Sequence, residues 1–296
     1  MRVFITGATG FIGSAVVNEL LGAGHQVLGL ARSDDAAAAL TAAGADVHRG
    51  DLQDLDSLKV GARETDGTIH CAFIHDFAKF AENGQIDKRA IEAMGDALEG
   101  TNKPFIVTSG TGLIAPGVVV TEDMRREAGL HIPRVSEQAG LAYAPRGARA
   151  MAIRLPQVHG AKGKAGLISY LVESARQKGV AAYVGDGSQR WSAAHVLDVA
   201  RVYKLALEKG TADSIYHAVS EEGVPMLNVM EIVARAVGVP LLSIKKEEAG
   251  EYFGPLAMFA GLDMPASSAL TQRRLGWTPK EIGLIADIGQ PGYFAG

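Results

Sequence analysis

Along the first 155 residues, short apolar runs rich in Val and Ile alternate with longer stretches whose apolar positions recur at helical spacing. Residues 2–6 read as a buried strand, and 11–21 follow as a helix with Ile12, Ala15, Val16 and Leu20 on one side. Gly22-Ala23-Gly24 stops that helix. Further strands are expected at 26–30, 46–48, 68–73, 105–108 and 150–155, with a helix at 34–43. The alternation predicts βαβ units, and six strands in this span predict an α/β fold built on a doubly wound parallel sheet. Beyond Pro156 the rhythm weakens. A loop-bounded strand at 182–187 and helices at 226–237 and 247–259 suggest a smaller C-terminal substrate-capping region, and a helix at 196–208 is read as returning to the nucleotide domain. The expected division is 1–155 as a dinucleotide-binding domain with a return at 193–220, and 156–192 plus 221–296 as the cap.

Composition narrows the partners more than the fold. Apolar residues make up 47% and charged residues 21%, which suits a globular chain, and the net charge of −4 offers no basic field to nucleic acid or an anionic membrane. The single cysteine, Cys71, rules out an intramolecular disulfide and any cysteine-based zinc site, and no metal centre is expected. No charged-then-apolar leader precedes the first strand and no apolar run reaches membrane-spanning length, so the expectation is a soluble cytoplasmic protein acting on a small molecule.

The chemistry begins at Thr6-Gly7-Ala8-Thr9-Gly10-Phe11-Ile12-Gly13, three glycines at spacing three between the first strand and the first helix. Gly7 suits a positive-φ turn, Gly10 removes a side chain where a pyrophosphate approaches, and Gly13 lets helix and strand lie close. The helix N-terminus then offers free N–H groups to the phosphates. The alternative is a tight turn with no ligand. At the end of the second strand, where an acidic residue would bond an adenosine ribose and favour NAD, the chain has Arg32 followed by Ser33. A guanidinium and a hydroxyl suit a 2′-phosphate, so NADP is expected over NAD; the alternative leaves Arg32 solvated and gives the ribose to Asp34 or Asp35.

These motifs resemble the extended short-chain dehydrogenase/reductase superfamily, in its NAD-dependent epimerase/dehydratase branch. The resemblance continues through Asp51-Leu52, similar to a pair that contacts adenine, and Ile69-His70-Cys71-Ala72-Phe73, similar to the fourth-strand segment passing under the cofactor. It extends to Val107-Thr108-Ser109, to Arg154-Leu155-Pro156 with Gly160, and to His195-Val196-Leu197-Asp198-Val199-Ala200. It implies a Rossmann-type fold and a dinucleotide held by Thr6, Gly7, Thr9, Gly10, Phe11, Ile12, Gly13, Arg32, Ser33, Asp51, Leu52, Ala72, Phe73 and Pro156. A homodimer through helices near 85–99 and 134–144 is also implied.

One part of the pattern is missing. The family's Tyr-x-x-x-Lys pair belongs between the fifth and sixth strands, yet 129–143 holds a single tyrosine, Tyr143, with Gly147 four residues on, and no lysine lies between Lys103 and Lys162. The chain therefore resembles an atypical member that keeps the cofactor fingerprint and changes the catalytic pair. Replacement groups are His131 and Arg134 in that stretch, Ser109 or Thr111 after the fifth strand, and His75 beyond the fourth. Each has a bland alternative: a loop histidine, a surface ion pair, or a hydroxyl capping a turn. In the cap, Arg190 and Trp191 read either as an anion clamp with an apolar wall or as an interdomain brace, while His195 and Asp198 read as fixing the returning helix. The expected function is an NADP-dependent carbonyl reductase or alcohol dehydrogenase with a nonstandard proton donor. A sugar-nucleotide epimerase or dehydratase and a noncatalytic NADP-binding sensor are the alternatives.

Overall fold

The computed structural model describes residues 1–112, 114–126, 134–161 and 166–294, leaving aside the Phe77 side chain. Its centre is a seven-stranded parallel sheet. Six strands come in sequence, β1 (Arg2–Thr6), β2 (Gln26–Ala31), β3 (Asp46–Arg49), β4 (Gly67–His70), β5 (Pro104–Gly110) and β6 (Arg149–Leu155). The chain then leaves for β7 (Gln157–His159), β8 (Ala181–Val184) and β9 (Arg190–His195), and returns with β10 (Ser214–His217). In space the sheet runs β10-β6-β5-β4-β1-β2-β3, with every neighbouring pair parallel. The order reverses between β1 and β4, so the C-terminal ends of those strands border the crevice where open α/β sheets take ligands.

Side-chain alternation gives the sheet two cores. Val3 and Ile5 of β1 face α1 (Phe11–Gly22), α2 (Asp34–Ala43) and, beyond the cap strands, the later helix Val196–Lys209. Phe4 faces the opposite way, towards α3 (Leu55–Arg63), α4 (Phe80–Leu98) and α5 (Ser136–Leu141). On that second face glycines let the layers close up: a Cβ on Gly140 of α5 would meet Val107 at 2.6 Å, and one on Gly95 of α4 would meet Tyr143 at 2.4 Å. Tyr143 is thereby committed to α4, donating to Glu92 O and Asp96 Oδ1.

The cap uses α6 (Gly166–Lys178) and α8 (Met226–Val237), with β11 (Glu221–Pro225) and β12 (Leu241–Ile244), while α7 (Val196–Lys209) returns to the central sheet and packs on α1. Strands β11, β9 and β7 form a small sheet, and β12 pairs with β8. Two differences from the sequence pattern matter. β4 ends at His70, so Cys71–Phe73 is coil facing the crevice, because the Gly7 turn packs directly against Ala72. The helix expected at 247–259 is broken at Gly254-Pro255 into the short pieces Ala249–Phe253, Gly254–Leu256 and Ala257–Ala260. The middle piece meets the short turn Phe77–Lys79 after β4, so the cap reaches over that edge of the crevice.

Candidate active site

The glycine loop is built for close approach. Gly7 has φ +67°, and a Cβ there would lie 2.7 Å from the Ala72 backbone nitrogen. A Cβ on Gly13 would lie 2.0 Å from Gly7 O, so α1 rests on the turn itself. Gly10 N-caps α1 without a side chain and no acidic residue stands in its first turn, leaving backbone N–H groups and the positive helix end open to an anion. Thr9 is exposed at the loop, while Phe11 and Ile12 lean half-buried on the core beside α1. These features fit a dinucleotide pyrophosphate.

At the tip of β2, Arg32 is exposed and makes no hydrogen bond or ion pair among the described residues. Ser33 caps α2, its Oγ accepting from Ala36 N at 3.2 Å. Asp34 pairs with Arg49 at 2.7 Å. Asp51 closes its own turn, one carboxylate oxygen accepting from Gln53 N and Asp54 N, and Leu52 sits half-buried on the α3–α4 core. Pro156 directly follows β6.

Behind the loop runs a buried chain of polar groups. Ala72 N donates to Thr6 Oγ1 (3.4 Å), and Thr6 Oγ1 lies 2.7 Å from His70 Nδ1. His70 Nε2 meets Asp87 Oδ1 at 3.0 Å, Ser136 Oγ donates to Asp87 Oδ2 at 2.6 Å, and Arg134 Nε donates to Ser136 Oγ at 3.0 Å. Thr6 Oγ1 and Asp87 Oδ1 thus engage the two ring nitrogens of His70, and the other Asp87 oxygen accepts from Ser136. Burial pushes the Asp87 carboxyl up, but hydrogen bonds from His70 and Ser136 and the charge of Arg134 outweigh it and leave it below its ordinary value.

Arg134 ends the chain. Its Nη2 donates to Thr108 O at 3.0 Å, and its guanidinium carbon lies 4.1 Å over the Phe73 ring. Both bonds fall on the Nε–Nη2 edge, and Nη1 has no partner among the described residues. Burial lowers the Arg134 pKa while Asp87 opposes it, and guanidinium basicity keeps the cation. Thr108 O belongs to the peptide leading into Ser109, so the cation stands at the C-terminal end of β5. Ser109 is on the same sheet face as Val107, the α5 side, and its hydroxyl has no partner among the described residues. His75 rests edge-on against Phe73 with ring centroids 5.2 Å apart. Its pKa is lowered, first by burial and then by the charge of Arg134.

The other candidates have different surroundings. Thr111 Oγ1 donates to Leu155 O (3.3 Å) and meets Ser192 Oγ (3.2 Å), clasping the cap strand β9 to the end of β6. Arg190 forms a bidentate pair with Asp263 (3.0 and 2.8 Å), and Trp191 is 3% exposed within the cap core. Arg190 is thus a brace and Trp191 a packing residue. His195 caps α7, accepting from Leu197 N, and Asp198 accepts from Lys280 N and Glu281 N. His131 lies outside the described residues. His70, Asp87, Ser136 and Tyr203, whose hydroxyl lies 2.7 Å from Thr108 Oγ1, are the site residues that sequence reasoning missed. A signal existed for Asp87: it occupies the buried face of α4 among Ile86, Ala90, Ile91 and Met94.

The chain is similar to several known proteins. The NAD dependent epimerase/dehydratase family model matches residues 3–117 and 134–219. Two yeast proteins match along their whole lengths. The uncharacterized protein C2A9.02 of Schizosaccharomyces pombe is 45% identical over 99% of this chain and 100% of its own. The uncharacterized protein YLL056C of Saccharomyces cerevisiae is 44% identical over 97% of this chain and 98% of its own. The 2-alkyl-3-oxoalkanoate reductase of Stenotrophomonas maltophilia is 28% identical, covering 81% of this chain and 77% of its own. Among solved structures, a double mutant of the Streptomyces venezuelae dTDP-glucose 4,6-dehydratase DesIV with NAD and DAU bound has a TM-score of 0.74 at 21% identity, over 98% of this chain and 95% of that one. The Thermus thermophilus UDP-glucose 4-epimerase in complex with NAD has a TM-score of 0.72 at 21% identity, over 100% and 99%.

Proposed function

Because the chain belongs to the NAD-dependent epimerase/dehydratase family, we propose that it is an NADP-dependent carbonyl reductase or alcohol dehydrogenase acting on a small organic substrate through Ser109 and Arg134. The observation that carries the reading is the Arg134 cation, held at the end of β5 with Nη1 unengaged and followed across one peptide by the free Ser109 hydroxyl. The cofactor, when bound, supplies hydride to the carbonyl carbon. Arg134 and Ser109 face the oxygen, where negative charge develops, and donors already in place there lower the barrier without reorganising. His75, exposed beside the same cation, is the group able to pass a proton inward from water. The unpartnered Arg32 favours the 2′-phosphate of NADP, and the arginine fork recognises phosphate in two bonds.

Support for reduction over sugar-nucleotide chemistry comes from two sides. Epimerases and dehydratases of the family lean on the tyrosine base, and Tyr143 is held against α4 by Glu92 and Asp96. Among the more distant relatives, the Stenotrophomonas maltophilia protein is named a reductase of oxoalkanoates. The test is to titrate NADPH and NADH, then follow reduced-nicotinamide absorbance with ketones, aldehydes and sugar nucleotides. Carbonyl turnover that falls in Ser109→Ala and Arg134→Ala is expected. Tight NADPH binding with no turnover of any carbonyl would overturn the reading in favour of a sensor, and turnover confined to sugar nucleotides would replace it with an epimerase.

A further inference from the structure

Arg134 stands two residues before α5, which begins at Ser136. An arginine side chain, with its rotamer freedom, needs outside constraint to hold one geometry. The constraint comes from α4, through Asp87, which bonds the Ser136 hydroxyl on one oxygen and His70 on the other. His70 in turn is tied to Thr6, the last residue before the glycine loop, and its carbonyl accepts from Thr108 Oγ1 at 2.6 Å. Thr6, His70, Asp87 and Ser136 are each no more than 1% exposed, so the chain does not exchange its partners with water. Hydrogen bonds to a buried carboxylate are among the stronger ones, and a fully satisfied buried network fixes one geometry.

We propose that Asp87, braced by His70 and acting through Ser136, is the positioning residue that holds the Arg134 guanidinium with its Nη1 side open to the substrate oxygen. The proposal rests on the reading of Arg134 as a substrate-facing group. Ser136 takes a bond from Arg134 Nε and hands one to Asp87, so the guanidinium plane follows the carboxylate on α4. The engaged edge faces the protein and the remaining N–H groups face the crevice. Asp87 itself touches neither substrate nor cofactor. This arrangement assigns to a carboxylate, a hydroxyl and an arginine the orienting work left by the missing tyrosine–lysine pair.

Asp87→Asn and Ser136→Ala test it in the full chain, the second variant leaving the Asp87–His70 bond intact. The first readout needs no turnover. In the 15N-labelled protein, one exchange-protected Arg Nε–H signal, identified by its loss in Arg134→Lys, should lose its protection in both variants. The second readout is kinetic: kcat for the best carbonyl should fall about 10²-fold, with NADPH Kd changed by less than about threefold, as expected for a misplaced group. Combining the variants should cost little more than either alone, because both cut one link. A protected signal in both variants, an unchanged kcat, or a loss of NADPH affinity parallel to kcat would each overturn the proposal. A wild-type chain that reduces no carbonyl would defeat the reductase reading, while the Nε–H signal would still decide whether Asp87 positions Arg134.

Discussion

Replacing Glu137 by leucine should cost far more stability than its place near a loop suggests. Arg154 on β6 is completely buried, and its Nε and Nη2 each donate to a Glu137 oxygen at 2.7 Å. Leucine removes both bonds and leaves the guanidinium with Met124 O at 2.9 Å and His217 Nε2 at 3.3 Å, which share its hydrogens but not its charge. Two charge-assisted bonds at about 1.5 kcal/mol each set a floor of about 3 kcal/mol, and the stranded charge raises the range to about 3–5 kcal/mol. At about 2–4 °C per kcal/mol for a domain of comparable size, thermal unfolding should move down by roughly 10 °C. Circular dichroism melts of the wild type, Glu137→Leu, and Glu137→Leu with Arg154→Met measure it. The double variant should recover much of the loss, because no uncompensated charge remains to be buried. A single variant costing less than about 1 kcal/mol, or a double variant costing more than the single, would refute the reasoning. The site should feel the same change, because Glu137 follows Ser136 at the start of α5.

The remaining predictions concern the cofactor and pH. Gly13→Ala places a methyl 2.0 Å from Gly7 O, a backbone atom that cannot swing aside, and should separate α1 from its turn. An overpacking cost of about 1–3 kcal/mol corresponds to roughly five- to 150-fold weaker NADPH binding, measured by nucleotide fluorescence; unchanged binding would refute the cradle. Arg32→Ala should weaken NADPH about 10- to 100-fold while leaving NADH affinity and melting temperature unchanged, since the side chain has no partner among the described residues to lose. Equal losses for both nucleotides would sink the 2′-phosphate assignment. His217 is held down to about 4 from 6.5, first by burial and also by Arg154, while its bond to Ser267 O opposes the shift. Between those values the unfolded chain binds the extra proton, so stability should fall as pH drops from 6.5 to about 4, by up to about 3 kcal/mol. His217→Gln should flatten that part of the pH–stability curve, and an identical slope in the variant would count against the assignment.

The parts of the molecule legible from sequence are those whose physics is local. Val and Ile runs followed by helical spacing mark the βα units, and Gly7, Gly10 and Gly13 lie within seven residues of one another at the first turn. The structure adds why two of them admit no side chain: Ala72 stands against Gly7, and Gly7 against Gly13. Misplaced boundaries trace to tertiary packing. Cys71-Ala72-Phe73 is as apolar as a strand, yet the turn occupying its flank ends the ladder at His70. In the cap, Arg190 looks free until Asp263, 73 residues later, takes the Nε–Nη2 edge of its guanidinium.

The orienting chain was hidden for the same reason on a larger scale. Thr6, His70, Asp87 and Ser136 come from four elements, and Asp87 and Ser136 belong to no motif the sequence shows. What the sequence does show is a cost without a visible return: a carboxylate on the apolar face of α4 and a histidine between Ile69 and the apolar run Cys71-Ala72-Phe73. Buried polar groups persist where each is satisfied, so two such anomalies in one chain are best explained by each other, and His70 and Asp87 meet at 3.0 Å. The remaining Asp87 oxygen then requires a donor, Ser136 supplies it, and Ser136's own oxygen requires another, which is Arg134. Followed in that order, hydrogen-bond satisfaction alone leads from the two buried anomalies to Arg134 at the end of β5, whose open side has no partner among the described residues.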